Sequence, residues 1–190
     1  MNLETIVNQM TEMSLLDRRS IIISEGINGA VAKRVITNLL IMDSADAKKE
    51  ITIYLNSPGG EVTSGFAIYD TIRFLKSPVH IVCAGLTASI ATVILCAAKR
   101  DHRFTMPNTK FLIHQPLIPG QIYGQASDLE ITAREILKTR QKINELLSKE
   151  CDQPLDKVEG DTQRDYWMNA MEAVEYGLVT KIIENRSDLK

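Results

Sequence analysis

The sequence predicts an α/β protein with a largely parallel sheet and one long helix that outruns the core able to cover it. Three observations carry that expectation. Short β-branched runs alternate with stretches of helical apolar spacing over residues 20–98. Clusters of Gly, Pro and Asn punctuate them, most densely at Asn56-Ser57-Pro58-Gly59-Gly60. An apolar face at helical spacing then runs through Leu129, Ala133, Ile136, Leu137, Ile143 and Leu147, well beyond a mean helix.

Taken in order, residues 20–24 (SIIIS) read as a buried strand and residues 31–41 as a helix. Residues 51–55 (ITIYL) read as a strand that stops at the Gly-rich turn, and residues 66–75 as an amphipathic helix. Residues 79–84 read as a buried strand, 88–98 as a buried helix and 111–114 as a strand. Strand–helix alternation of this kind builds parallel sheets. Ser127 with Glu130 fits a capping box at the start of the long helix, which is expected to run to about Lys149. Asn169 with Glu172 fits the N-terminus of a last helix, Gly177 its C-terminal stop, and residues 178–183 a closing strand.

The chain has 190 residues, 44% hydrophobic and 24% charged, enough for a single domain with a real core. A formal net charge of -2 offers no basic surface, so no nucleic-acid partner is expected. The longest apolar stretch, residues 88–98, is too short for a bilayer, and residues 1–19 lack the apolar region of a signal peptide. The three cysteines, Cys83, Cys96 and Cys151, form no disulfide framework, and two lie in apolar runs. A reducing cytoplasm with no membrane contact is the expected location. The sequence has no C-x-x-C, no H-E-x-x-H, no EF-hand loop and no phosphate-binding G-x-x-x-x-G-K-[ST]. No metal or cofactor is expected, and no ATP hydrolysis by this chain.

The candidate chemical groups each have a plain structural reading beside the functional one. Ser89 sits where a buried strand meets a buried helix, a junction that can aim a hydroxyl outward beside unpaired backbone N–H groups. A small residue in a tight turn explains it equally. His114 closes an apolar strand before Gln115-Pro116 and reads either as a base or as a half-buried ring bonded to backbone. His80 and His102 are weaker candidates. Asp161 and Asp165 are indistinguishable as a third member. Gly59-Gly60 is either a turn needing positive φ or a loop exposing N–H donors to an oxyanion.

Several collinear segments together resemble the proteolytic subunits of the Clp protease (ClpP), peptidases of crotonase-like fold. They are Asn56 to Gly60, Gly65 to Ile72, Ala88-Ser89, Ile113 to Pro116, Gly124 to Ala126, Ile136 to Arg140, Arg164-Asp165 and Glu172 to Val179. The resemblance implies a β-β-α superhelical head (about 20–115 and 155–185), a projecting handle (about 116–152) and an axial amino-terminal segment (1–19). It identifies Ser89 as nucleophile, His114 as base and Asp165 as the third triad residue. Gly60 and Ile90 match the backbone donors of an oxyanion hole. Gln115, Pro116, Leu117 and Gly120 match the substrate groove, Gln163 and Arg164 a ring–ring contact, and Tyr54 and Thr52 an unfoldase-docking pocket. It further implies a double ring of seven-membered layers, homo- or hetero-oligomeric, working with a Clp-type AAA+ unfoldase on unfolded polypeptides.

The sequence departs from that family pattern in several places. Ile90-Ala91 replaces the usual Met-Gly, and Ile118-Pro119 reads as a two-residue insertion. Gln163 stands for an acidic residue and Thr52 for an aromatic, and the axial Arg/Tyr sequence is missing. These departures touch assembly and docking more than chemistry. They leave open a divergent copy with low or partner-dependent activity, a non-catalytic ring subunit, or another crotonase-fold enzyme acting on acyl-CoA.

Overall fold

A computed structural model gives the fold and describes residues 10–11, 13–117 and 124–189. Among the described residues seven strands form one sheet: β1 (Ser20–Ile23), β2 (Ile51–Ser57), β3 (Val79–Ala88), β4 (Arg103–Thr105), β5 (Lys110–Ile113), β6 (Tyr166–Met168) and β7 (Lys181–Ile182). The order β1-β2-β3-β4-β7 is parallel throughout, as expected. β5 also pairs with β3 in parallel, while β6 returns antiparallel to β5.

β3 carries two neighbours in succession along one edge. Its first half pairs with β4 (Ile81 opposite Arg103) and its second half with β5 (Ala88 opposite Leu112). Gly85, at φ +66, separates the halves. Across from it the β2–β3 register shifts between Leu55 and Ser57. The Asn56 side chain fills that bulge, accepting from Leu86 N at 3.1 Å and donating to Ser24 Oγ at 3.0 Å. Glycine is required at 85 because its φ is positive and a Cβ there would come 2.9 Å from Asn56 Oδ1. An irregularity of this kind locally disrupts the ladder, and beyond it β3 pairs with β5 in place of β4.

Helices α1 (Gly29–Ala45), α2 (Val62–Phe74) and α3 (Ile90–Leu95) lie over one face. Asn28 caps α1 by accepting from Ala30 N and Val31 N, and Val31, Val35, Leu39 and Met42 form its buried stripe. Together with Ile21, Ile23, Ile51, Ile53, Leu55 and Ile81 they build the main core. α2 approaches α3 so closely that a Cβ at Gly65 would lie 2.2 Å from Ile90 Cγ1. The opposite sheet face holds a smaller cluster of Val82, Phe104 and Ile183, flanked by Tyr54 and Leu189.

The long helix α4 spans Ala126–Cys151. Its C-terminal end packs through Ile143, Leu147 and Cys151, while Ile131 and Leu137 are about 60% exposed (61% and 60%). The expected capping box at Ser127 does not form. Gln125 is the extended residue, so Ser127 already lies inside the helix. α5 (Leu155–Asp161) and the strands β4 and β6 were not legible in the sequence, being too short to show a period. The last helix, α6 (Ala170–Tyr176), has the expected Asn169–Glu172 capping box and Gly177 at φ 91 as its stop. No helix among the described residues is long and apolar enough to cross a membrane.

Candidate active site

Ser89 occupies the turn between the end of β3 and the start of α3. Its backbone lies at φ 56, ψ -128, a region that a residue with a side chain rarely adopts. A strain of about 1–3 kcal/mol of this kind persists only where the surroundings over-determine it. Here the surroundings are specific. Ser89 N donates to Leu112 O at 2.8 Å, locking the turn onto β5. Ser89 O accepts from Thr92 N at 3.0 Å and Thr92 Oγ1 at 2.7 Å, locking it onto α3.

The register of β5 then supplies the second group. Ala88 faces Leu112, so Ser89 and His114 emerge at neighbouring strand ends. β6 supplies the third. Ile113 faces Tyr166 in an antiparallel pair, which brings Asp165 alongside His114. His114 Nδ1 lies 3.2 Å from Asp165 Oδ1, with the ring mostly covered and the carboxylate open to solvent. A Nδ1–H donating to that carboxylate leaves Nε2 as the basic nitrogen. Among the described residues no hydrogen bond joins the Ser89 hydroxyl to the imidazole. Catalytic bonds of this kind are often long without substrate and tighten in its complex.

Two further bonds hold the Asp165 segment to the His114 segment. Gln115 N donates to Thr162 O at 2.7 Å and Gln115 Nε2 to Gln163 O at 2.9 Å. Thr162 is itself buried and donates to Val158 O at 2.8 Å. Asp161 is committed elsewhere: it accepts from Lys157 Nζ at 2.7 Å and Tyr176 OH at 3.0 Å. Burial, followed by that bond to Asp161, pushes the Tyr176 phenol up. The geometry therefore pairs His114 with Asp165 and not with Asp161.

The Gly-rich turn packs directly on Ser89. A Cβ on Gly59 (φ +91) would come within 2.6 Å of Ser89 Cβ and 2.7 Å of Ala88 O. One on Gly60 (φ +150) would come within 2.1 Å of Ile27 O. Ile27 N donates to Gly59 O at 2.7 Å and Glu61 N to Ile27 O at 2.9 Å, which fixes the loop. Ser57 Oγ braces it by accepting from Gly59 N at 3.2 Å. The N–H groups of Gly60 and Ile90 donate to no other described group, and Ile90 is the first residue of α3. Two free backbone donors beside a strained hydroxyl and a carboxylate-bound imidazole form a constellation suited to acyl transfer. Local sequence carries no sign of the close packing of Gly59 on Ser89. The two positions lie 30 residues apart, and only the strand register joins them.

The other expected residues separate into groups. Gln115 and Pro116 lie half-buried beside His114, and Leu117 is exposed. Gly120, with the Ile118-Pro119 insertion and most of the axial segment, falls outside the described residues. Gln163 and Arg164 are exposed. Tyr54 lines a mainly apolar cavity of about 370 Å³ on the opposite sheet face, with Val82, Met106, Ile183 and Leu189. Thr52 is half-buried and does not line it. His80 and His102 stand apart from Ser89, their rings 4.2 Å from each other. Cys83, Cys96 and Cys151 are free and buried, and burial pushes the Cys83 thiol up to about 12. No group of His, Cys, Asp and Glu among the described residues is placed to hold a metal.

Comparison with known proteins completes the description. Residues 4–186 match the family described as Clp protease. The chain is 48% identical over 174 residues to the ATP-dependent Clp protease proteolytic subunit 2 of Treponema denticola, covering 92% of this chain and 86% of that one. It is 46% identical over 174 residues to the protein of the same name from Treponema pallidum, again covering 92% and 86%. Among solved structures it resembles the ClpP1 N165D mutant from Listeria monocytogenes with a TM-score of 0.86 and 39% identity, over 94% of this chain and 98% of that one.

Proposed function

The chain belongs to the Clp protease family as a proteolytic subunit, and we propose that it is a serine endopeptidase acting through Ser89, His114 and Asp165. The observation that carries this reading is the strained Ser89 turn, held between α3, β5 and the Gly59-Gly60 loop, with the His114–Asp165 pair at the next strand end.

In the proposed reaction Ser89 Oγ attacks a peptide carbonyl while His114 Nε2 accepts its proton. Asp165 holds the imidazole through Nδ1 and stabilises the imidazolium. The N–H groups of Gly60 and Ile90 donate to the oxyanion that forms on the carbonyl. His114 then returns the proton to the leaving amine, giving an acyl-Ser89, and water repeats the sequence to release the acid. Because the oxyanion donors are backbone groups, replacing the family's Met by Ile90 preserves the donor and alters only the pocket wall.

The exposed Ile131 and Leu137 on α4 support a ring–ring contact along this helix, as in a double-ring oligomer. The apolar cavity beside Tyr54 supports docking of an unfoldase on the opposite sheet face, away from Ser89. Substrates would be unfolded polypeptides and the compartment the cytoplasm. Hydratase chemistry is not favoured by the relatives found. The deciding experiment is labelling of the purified chain with a fluorophosphonate, with the adduct located by peptide mass spectrometry. Modification of Ser89, lost in His114→Ala, is expected. A chain that stays unlabelled and cleaves a short fluorogenic peptide no faster than Ser89→Ala would overturn the assignment.

A further inference from the structure

Among the described residues Arg103 is the largest fully buried side chain, with 0% exposure. A guanidinium so placed must have its donors satisfied, because an unpaired buried charge is strongly destabilising. Its partners lie on two elements. Nε donates to Ala98 O at 2.9 Å and Nη2 to Cys96 O at 3.0 Å, the backbone just beyond α3. Nη1 donates to Glu150 O at 3.0 Å, and Nη2 also pairs with the Glu150 carboxylate, at the last turn of α4. The same carboxylate sits 3.9 Å from Arg73 of α2.

These contacts give Arg103 more than a packing role. α3 has only six residues, a short rod of less than two turns. Ser89 and Ile90 stand at one end of that rod and the Arg103 guanidinium grips the chain just past the other. α4 meets this end of the rod through the same guanidinium and through Cys151, whose thiol contacts that of Cys96. The guanidinium therefore joins the base of α4 to the short segment that ends at the Ser89 turn.

We propose that Arg103 and Glu150 are positioning residues, a clamp that sets the placement of the Ser89–Ile90 turn from the base of α4. The inference rests on the reading of Ser89 as nucleophile. Neither side chain touches substrate. Their contribution lies in alignment, where a misplacement of about 1 Å can cost on the order of 10²-fold in rate.

The test uses the full-length chain in its native assembly. A double variant, Arg103→Met with Glu150→Leu, replaces the buried ion pair by apolar groups, so that its stability cost comes from the three backbone carbonyls Arg103 also served. Glu150→Ala and Glu150→Gln form a second pair, differing in whether the Nη2 acceptor is kept. Each is measured for unfolding midpoint, oligomer mass, kcat and KM on a short fluorogenic peptide, and fluorophosphonate labelling rate. The double variant and Glu150→Ala are expected to assemble with KM within about twofold. Their kcat and labelling rate should fall about tenfold or more, with Glu150→Gln recovering most of the loss. An assembled double variant with wild-type kcat overturns the proposal. So does a kcat loss fully accounted for by loss of folded protein. Should the double variant not fold, equal kcat in Glu150→Ala and Glu150→Gln overturns it instead. Ser89→Ala separates the two levels: if it cleaves like wild type, the peptidase reading itself has failed. If it is inactive while the clamp variants are fully active, only the clamp is refuted.

Discussion

Replacing Gly59 by Ala tests the packing on which the site depends. The new methyl would stand 2.6 Å from Ser89 Cβ, 2.7 Å from Ala88 O and 3.2 Å from Ile90 N. Two of these are backbone atoms flanking Ser89, whose own N and O are tied to Leu112 and Thr92, so neither can retreat cheaply. The backbone cost of an Ala at φ +91 is about 1–2 kcal/mol. Overpacking adds about 1–3 kcal/mol. The expected loss is thus roughly 2–5 kcal/mol of stability, with relief taken by displacing the Gly59-Gly60 loop from Ser89. A displacement near 1 Å predicts a fall in kcat on the order of 10²-fold. Gly29→Ala is the control, since a Cβ there meets nothing within 4 Å and the residue begins α1. It should be neutral or stabilising by up to about 1 kcal/mol. Thermal unfolding at fixed subunit concentration and hydrolysis of a fluorogenic peptide give both numbers. Gly59→Ala with wild-type midpoint and turnover would refute the argument.

Three further outcomes follow from the geometry. Ser89→Gly should abolish peptide cleavage and yet raise the unfolding free energy by about 1 kcal/mol, because glycine accepts φ 56 without strain; equilibrium denaturation of the variant checks it against Ser89→Ala. Asp165→Asn should lower kcat by roughly 10²–10⁴-fold by upsetting the His114 tautomer, whereas Asp161→Asn, losing only its bonds to Lys157 and Tyr176, should leave kcat within about threefold of wild type while costing about 1 kcal/mol of stability. Burial, and then the neighbouring His102, hold the His80 pKa below its ordinary 6.5, with Glu50 and Asp101 opposing. The unfolded chain therefore binds the extra proton first: this contribution to stability is complete above about pH 6.5 and is lost as pH falls toward the folded-state pKa. His80→Gln should flatten that part of the stability–pH curve measured by denaturant titration.

The amino-acid sequence by itself determined the alternation of strands and helices, the buried β-branched runs and the capped last helix. These features depend on neighbours a few residues apart: the Asn169–Glu172 capping box and the Val31, Val35, Leu39 stripe are local physics. The sequence also supplied the resemblance that singled out Ser89, His114 and Asp165. Chemistry along the chain did not separate Asp165 from Asp161. That choice belongs to tertiary structure, through the antiparallel pairing of β6 on β5 and the bonds from Gln115 to residues 162 and 163. The same is true of the Gly59 contact on Ser89 and of the buried Arg103, which reads as a loop charge until β4 pairs with β3. Strands of three residues such as β4 and β6 show no period, and they form because a partner edge is waiting for them. Long-range pairing fixes which distant groups meet, and no window of local sequence contains that information.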